Sequence, residues 1–203
     1  MLKCNSSPGG SNSCRSGSAM ATATTLMTAD EFARLPDTKP YELVRGELVE
    51  MNRPTFAHGR VCINIGYELE SWARKCSAGM VVSNDSGVVT TRNPDSVRGP
   101  DVAFVRAERV PPRHLLKQWL DIPPDLIVEV LSPGDRWRAM VAKVGEYLES
   151  GVREVWIADP SRRELHIFRP DRAPVLVTDQ EAVASESVLP GFSCRVGEFF
   201  RDV

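Results

Sequence analysis

The feature that most constrains this chain is an acidic residue inside a segment that otherwise has the composition of a buried strand. Glu129 interrupts the apolar segment 126–131 (LIVEVL), and Asp101 begins a second one, 101–105 (DVAFV). Short β-branched segments bounded by proline and glycine are typical of strands buried on both faces. A buried ionised carboxylate is costly unless a cation compensates it. The sequence therefore predicts a metal ion or a lysine beside these two acids.

Composition excludes several classes of protein. The 203 residues carry a formal net charge of −2, so the chain as a whole is not a polycation, which argues against non-specific nucleic-acid binding as its main function. A local basic groove around an acidic, metal-binding site remains open. No apolar stretch approaches the ~18 residues of a membrane span. The five cysteines form no CxxC pair, so a zinc site is not expected. Their odd number favours free thiols in a reducing, cytoplasmic compartment.

The first 25 residues differ from the rest. They are rich in serine and lack aromatic residues and the apolar stretch of a secretory signal. We interpret residues 1–25 as a disordered tail or a start codon called too early, with Met20 as the true start. Residues 26–203 are predicted to form a single domain, which the chain length allows.

Hydrophobic periodicity predicts a mixed α/β fold. A capped helix begins at Thr28, a hairpin spans 41–51, and an amphipathic helix spans 58–76 and is ended by Gly79. A β-rich stretch covers 80–91, and the two acid-containing strands follow it. A second long helix (136–150) leads to a strand and hairpin over 152–168, and the last thirty residues suggest one or two edge strands and a short terminal segment. This order predicts a mixed central sheet with helices on its faces.

Lys143 is the cation that the sequence offers. It lies on the core stripe of the second long helix, among Met140, Val144 and Tyr147. A lysine on a buried face must either extend to solvent or meet a carboxylate. Only the short connection 132–135 separates this helix from the Glu129 strand, so Lys143 is predicted to point toward Glu129.

Two acids and a lysine form a recognised chemical arrangement. The acids bind Mg²⁺ through hard oxygen ligands, and the metal stabilises the charge that develops on a phosphate during in-line displacement. The lysine orients the attacking water or stabilises the oxyanion. A buried ion pair between Glu129 and Lys143, with Asp101 capping a turn, remains the structural alternative.

The same residues resemble the PD-(D/E)xK nuclease superfamily, and within it a bacterial branch of endonuclease-like proteins. Five segments carry the resemblance in order: 41–47 (YELVRGE), 100–105 (PDVAFV), 129–133 (EVLSP), Lys143 with 147–152 (YLESGV), and 155–160 (VWIADP). Together they extend over most of the chain from Leu26 to about Pro170. The resemblance implies a restriction-endonuclease-like core, with an N-terminal hairpin, that hydrolyses DNA with Mg²⁺ or Mn²⁺.

The resemblance also implies roles for individual residues. Asp101 and Glu129 would bind the metal, and Lys143 would be the catalytic lysine. The superfamily places this lysine two residues after the second acid, where this chain has Leu131, so the lysine must come from the following helix. That departure, and the near-neutral charge, leave open a second function: a catalytically inactive, nuclease-derived module that binds DNA or another protein. Pairing of nucleases with this fold makes a homodimer possible.

Other candidates are weaker. Glu47, after the hairpin turn, is a candidate further metal ligand or an exposed strand residue. Asp85 is interpreted as a turn residue, and His58 as a helix-start residue that caps or contacts substrate rather than a metal. Five basic residues follow the Asp101 strand and could track a phosphate backbone, although a solvated loop is the default interpretation: Arg106, Arg109, Arg113, His114 and Lys117.

Overall fold

The described part of the chain is residues 26–36, 41–113 and 119–203 of a computed structural model, and it contains three α-helices and twelve strands. The helices are α1 (Ala29–Phe32), α2 (Phe56–Cys76) and α3 (Trp137–Glu149). The strands are β1 (Tyr41–Val44), β2 (Glu47–Glu50), β3 (Gly79–Ser83), β4 (Val88–Thr91), β5 (Ser96–Arg98), β6 (Val102–Arg106), β7 (Leu126–Val130), β8 (Glu154–Asp159), β9 (Glu164–Phe168), β10 (Val175–Thr178), β11 (Ala182–Ser185) and β12 (Leu189–Arg195). The interpretation of residues 1–25 as a tail lies outside the described residues.

A six-stranded mixed sheet forms the centre of the fold, in the order β10-β9-β8-β7-β6-β3. Strands β7 and β8 are parallel, and α3 connects them, as a parallel crossover requires. The other neighbouring pairs are antiparallel. This architecture confirms the predicted α/β class with a mixed sheet between helices.

The sheet is buried on both faces, as the apolar strands predict. On one face, α2 packs against β3, β6 and β7, with Val61, Ile65 and Leu69 buried in the core. On the other face, α3 packs through Val144 and Tyr147. Burial of each large apolar side chain contributes about 1.5–3 kcal/mol, so these two layers hold the strands that carry Asp101 and Glu129 in fixed positions.

The predicted hairpin β1–β2 is part of a second sheet, in the order β2-β1-β5-β4. Its two-residue turn has positive φ at both Arg45 (51°) and Gly46 (80°), which is the backbone of a type I′ turn. Strand β5, which the sequence patterns did not indicate, pairs with β1 at Leu43 and Val97. The second sheet thereby brings the acid of β1 and the arginine of β5 beside the central sheet.

Helix α2 begins two residues earlier than predicted. The Thr55 side chain accepts a hydrogen bond of 3.2 Å from the backbone N–H of His58 and so caps the first turn. The helix ends at Ser77, which takes the left-handed conformation (φ 51°, ψ 36°). The prediction that Gly79 ends the helix was therefore wrong, because Gly79 is already the first residue of β3.

We expect Thr55→Ala to lower the free energy of unfolding by about 1 kcal/mol, since one helix-end donor loses its partner. Urea unfolding followed by circular dichroism measures this change. Ser71→Ala, at an exposed position within the same helix, is the control, and it should leave stability equal or slightly higher. Equal losses in the two variants would contradict the capping role.

The last thirty residues contribute more than edge strands. Strands β11 and β12 form a separate hairpin, and Val196–Phe200 forms a 3-10 helix. Phe192, Phe199 and Phe200 from this region are buried in the core layer that contains α2. Local sequence patterns did not indicate that this segment belongs to the core, because its apolar residues pack against α2 and the central sheet, which are distant in the chain.

The basic residues after β6 are largely structural where they are described. Arg109 pairs with the buried Asp125 at 2.8 Å and donates to the Pro123 carbonyl at 2.6 Å. The Arg106 side chain donates to the Ser187 carbonyl, and its Nε lies 3.7 Å from Oδ1 of Asp125. These contacts argue against a phosphate-tracking role for Arg106 and Arg109, while His114 and Lys117 lie outside the described residues.

Within residues 26–36, 41–113 and 119–203, no helix combines the length and the apolar character needed to cross a membrane.

Candidate active site

Asp101 and Glu129 lie opposite each other where β6 and β7 meet. Val102 pairs with Val128 in the antiparallel register, and Asp101 and Glu129 are the next residues beyond this pair on their two segments. The Asp101 carboxylate accepts a hydrogen bond of 2.6 Å from the backbone N–H of Val130, the residue after Glu129. The two acids therefore lie at the same end of the central sheet.

Lys143 reaches this pair from α3. Its Nζ lies 2.9 Å from Oε1 of Glu129 and 3.0 Å from Oε1 of Glu42. The lysine side chain is 11% exposed and both glutamates are 5% exposed, so the contacts are largely shielded from solvent. A lysine supplied by the following helix thus delivers its ammonium beside the second acid.

Glu42 is a member of the site that sequence reasoning missed. Besides Lys143, it contacts Arg98 Nη1 at 2.8 Å and accepts a hydrogen bond of 3.0 Å from the N–H of Gly99. The candidate chosen from this hairpin was Glu47, which is exposed on β2 and has no contact with Lys143 or Glu129 in the structure. An acid in a hairpin strand is ordinarily solvent-facing, and only the pairing of β1 with β5 buries Glu42.

An ion-pair network continues from Glu42 into α3. Arg98 bridges Glu42 and Glu146, its Nε donating to Glu146 Oε1 at 3.0 Å. Burial alone would lower the pKa of Arg98, but the hydrogen bond to Glu146 and the charge of Glu42 raise it above its usual value. The network fixes β5 against α3 and therefore fixes the distance between Glu42 and Lys143.

Electrostatics distinguish the two glutamates. Burial raises the pKa of Glu129 to about 7, with Lys143 opposing the rise and Asp101 adding to it. Burial also disfavours ionised Glu42, yet Lys143 and Arg98 together hold the pKa of Glu42 below its usual value. For Lys143, burial favours the neutral amine, but Glu129 and Glu42 raise its pKa. Lys143 is thus cationic. For Glu129, a further positive charge nearby would stabilise the ionised carboxylate.

Tyr147 orients Glu129. Its hydroxyl donates a hydrogen bond of 2.6 Å to Oε1 of Glu129, the same oxygen that contacts Lys143. Oε2 of Glu129 accepts no hydrogen bond from a described residue. One oxygen of Glu129 is therefore held by the protein, and the other remains for a ligand.

Asp85 also contributes charge near the site, although the sequence suggested only a turn. Asn84 and Asp85 do form a turn, with φ of 66° and 53°. A Cβ on Gly99 would lie 2.9 Å from Cβ of Asp85, so only glycine lets this turn approach β5 so closely. Burial and the charge of Asp101 raise the pKa of Asp85, while Lys143 opposes the rise. The turn therefore lies close enough to Asp101 and Lys143 to be affected by their charges.

His58 is a further residue at the site. Its Nε2 lies 2.8 Å from Oδ1 of Asp101, and its Nδ1 lies 3.0 Å from Oγ of Ser132. Burial alone would lower the pKa of His58, but the hydrogen bond and charge of Asp101 raise it above its usual value. The Thr55 cap orders the first turn of α2, and this turn brings His58 to the carboxylate of Asp101.

The donor atoms suit a hard divalent cation between Asp101 and Glu129. Both residues offer carboxylate oxygens, which Mg²⁺ prefers. The geometry fits such an ion, because Tyr147 and Lys143 hold one oxygen of Glu129 and leave the other, while Asp101 lies beside β7 through Val130. Burial also raises the pKa of Glu129, and an added cation would favour its ionised carboxylate.

The mixed sheet, the two acids at one end of it and the lysine define the restriction-endonuclease-like class of proteins. Residues 29–197 match the family model described as "Uma2: Putative restriction endonuclease". The chain belongs to this family.

A solved structure supports the same fold. The chain is similar to a protein from Anabaena variabilis ATCC 29413, described as "a putative nuclease belonging to DUF820", with a TM-score of 0.74 and 19% sequence identity. The match covers 86% of this chain and 97% of the other. Among functionally curated proteins, no significant match was found.

Proposed function

We propose that this protein is an endonuclease that hydrolyses DNA phosphodiester bonds with a divalent metal ion, Mg²⁺ or in its place Mn²⁺. The observation that carries the proposal is the placement of Asp101 and Glu129 at one end of the central sheet, with the Lys143 ammonium 2.9 Å from Glu129. A structural ion pair between Glu129 and Lys143 would not by itself require Asp101 at the same end of the sheet.

Each residue has a distinct proposed role. Asp101 and Glu129 would hold the metal, which supplies Lewis-acid stabilisation of the charge developing on the phosphate. Lys143 would hold the attacking water or stabilise the oxyanion, because its raised pKa keeps it a hydrogen-bond donor. Glu42 and Tyr147 position Lys143 and Glu129. Glu47 would have to move to act as a metal ligand, so we do not assign it a metal-binding role.

The substrate and the assembly are also part of the proposal. Family membership supports a nucleic-acid substrate, and DNA is the substrate that the resemblance implies. A two-fold homodimer in the cytoplasm would place two such sites on the two strands of a duplex.

One observation favours an inactive binding module as the second candidate. Lys143 is already neutralised between two buried carboxylates, Glu42 and Glu129, which is also how a structural ion network is built. In that case the fold would bind nucleic acid or a protein without cleaving it.

Plasmid nicking tests the proposal. We expect nicking with Mg²⁺, none with EDTA, and in Asp101→Asn a Mg²⁺ requirement raised roughly 10- to 100-fold, the range that weakened metal sites show. Asp121→Asn, at an exposed acid, is the matched control and should behave as wild type. Nicking that is equal in all samples would indicate a contaminating nuclease. A folded protein with no nicking that binds neither Mg²⁺ nor Mn²⁺ in a calorimetric titration would support the binding module.

A further inference from the structure

A cluster of three different metal-binding side chains lies beside the proposed nuclease site. His58, Cys62 and Asp101 offer one nitrogen, one sulfur and one oxygen atom, all within 4.8 Å of one another. His58 is half-buried and Cys62 partly buried, so the cluster is formed within the protein and not on its surface. The nitrogen and sulfur atoms come from α2, and the oxygen atom comes from the residue directly before β6.

The helix sets the positions of two of these ligands. His58 and Cys62 are four residues apart in α2, so their side chains lie on one face of the helix. The Thr55 cap orders the turn that carries His58. This is the spacing at which a helix presents two side chains to one ion.

The separations suit a single ion. Metal bonds of ~2.1 Å to nitrogen and oxygen and ~2.3 Å to sulfur place neighbouring ligand atoms roughly 3–4 Å apart. His58 Nε2 and Asp101 Oδ1 are 2.8 Å apart and share a hydrogen bond, so a bound ion would take the place of that proton and the two atoms would separate by a few tenths of an ångström. The Cys62 sulfur, within 4.8 Å of both, needs only a small side-chain rotation to complete the set.

Ser132 supports the histidine in a way that is common at metal sites. Its hydroxyl lies 3.0 Å from Nδ1 of His58. A hydroxyl both donates and accepts hydrogen bonds, so this contact persists when Nε2 binds a metal and Nδ1 carries the proton. Metal-binding histidines ordinarily have such a partner on the second ring nitrogen, because it fixes the tautomer and the orientation of the ring.

We propose that His58, Cys62 and Asp101 form a second metal site, which takes a transition-metal ion of the Zn²⁺ or Co²⁺ class and not Mg²⁺. Nitrogen and sulfur ligands select such ions, whereas Mg²⁺ prefers oxygen alone. The assignment replaces the sequence-based interpretation of His58 as a capping or substrate-contact residue. Because Asp101 is shared, the inference rests on the proposed function and deepens it: Oδ1 faces the second site, and Oδ2 lies at Val130 next to Glu129.

Cobalt spectroscopy tests this site without any measurement of cleavage. Co²⁺ added to the full-length, reduced protein should give a sulfur-to-cobalt charge-transfer absorption together with d–d bands. Cys62→Ser should abolish the charge-transfer band. His58→Asn should lower the Co²⁺ affinity at least about tenfold, the smallest loss typical of a disturbed metal site, while Cys62 is kept.

Two controls separate this site from other thiols and from the nuclease site. Cys76→Ser, at an exposed cysteine of the same helix, and a Cys4→Ser/Cys14→Ser double variant should keep the band. Glu129→Gln should also keep it, because Glu129 is not one of the three ligands. Circular dichroism verifies that each variant is folded, and if Cys62→Ser does not fold, the His58→Asn affinity decides the outcome.

The outcomes are distinguishable. A charge-transfer band that survives in Cys62→Ser, d–d bands without charge transfer in the wild type, or no cobalt binding at all would overturn the second site. Loss of the band in Glu129→Gln would contradict the proposal that the second site is formed by His58, Cys62 and Asp101 without Glu129. A retained cobalt site in a protein that does not nick DNA would leave the second site standing and count against the nuclease proposal alone.

Discussion

Lys143→Met is expected to reduce the rate of DNA nicking by roughly 100- to 1,000-fold, the loss typical when one donor that stabilises transition-state charge is removed. The same change leaves Glu42 and Glu129 buried without their shared cation. Breaking a buried ion pair in this way costs about 3–5 kcal/mol of unfolding free energy. Single-turnover nicking, at a temperature where the variant is fully folded, and urea unfolding measure the two effects separately.

A double variant separates the structural effect of Lys143 from the catalytic one. Lys143→Met/Glu42→Gln leaves Glu129 as the only carboxylate that has lost the lysine, since Glu42 also pairs with Arg98. The double variant should therefore regain part of the lost stability while its nicking stays low. Lys75→Met, at an exposed lysine of α2, is the matched control and should change neither quantity. Nicking that recovers together with stability would assign Lys143 a structural role only.

Glu129→Gln is expected to change how stability depends on pH in the metal-free protein. Burial raises the pKa of Glu129 to about 7, from 4.5 in a free glutamate. The folded state therefore keeps this proton between about pH 4.5 and pH 7, where the unfolded chain releases it. More protons bound in the folded state mean that stability falls as pH rises through this window, by at most about 3 kcal/mol from this group. Glutamine has no such proton, so the variant loses this contribution to the fall.

Urea unfolding in EDTA at pH 5 and pH 8 measures this difference. The drop in stability from pH 5 to pH 8 should be smaller in Glu129→Gln than in the wild type, whereas exposed Glu47→Gln should keep the wild-type drop. Adding Mg²⁺ at pH 8 should stabilise the wild type more than Glu129→Gln, because an ion that binds only the folded state raises its stability. Identical pH dependence in the wild type and Glu129→Gln would show that Glu129 does not carry the shifted proton.

The contrast between Glu42 and Glu47 shows where sequence reasoning stops. Both are glutamates of one hairpin, and the local pattern gives each the character of a solvent-facing strand residue. Strand β5 pairs with β1 and brings Arg98 to Glu42, while Glu47 on the outer strand β2 stays exposed. Pairing between strands more than fifty residues apart therefore decided which acid joins the site.

The sequence by itself determined the elements and the main acids of the site. Hydrophobic periodicity and turn residues reflect neighbours a few positions away in the chain. The helices, the hairpin and the two buried strands could therefore be predicted, and Glu129 was recognised because it is an acid within a buried strand. Tertiary structure alone decided which groups surround those acids. His58 and Cys62 come to the site from α2, and Glu42 comes from β1. Strands β11 and β12 complete the core. All of these contacts join residues far apart in the chain, so local sequence patterns do not predict them.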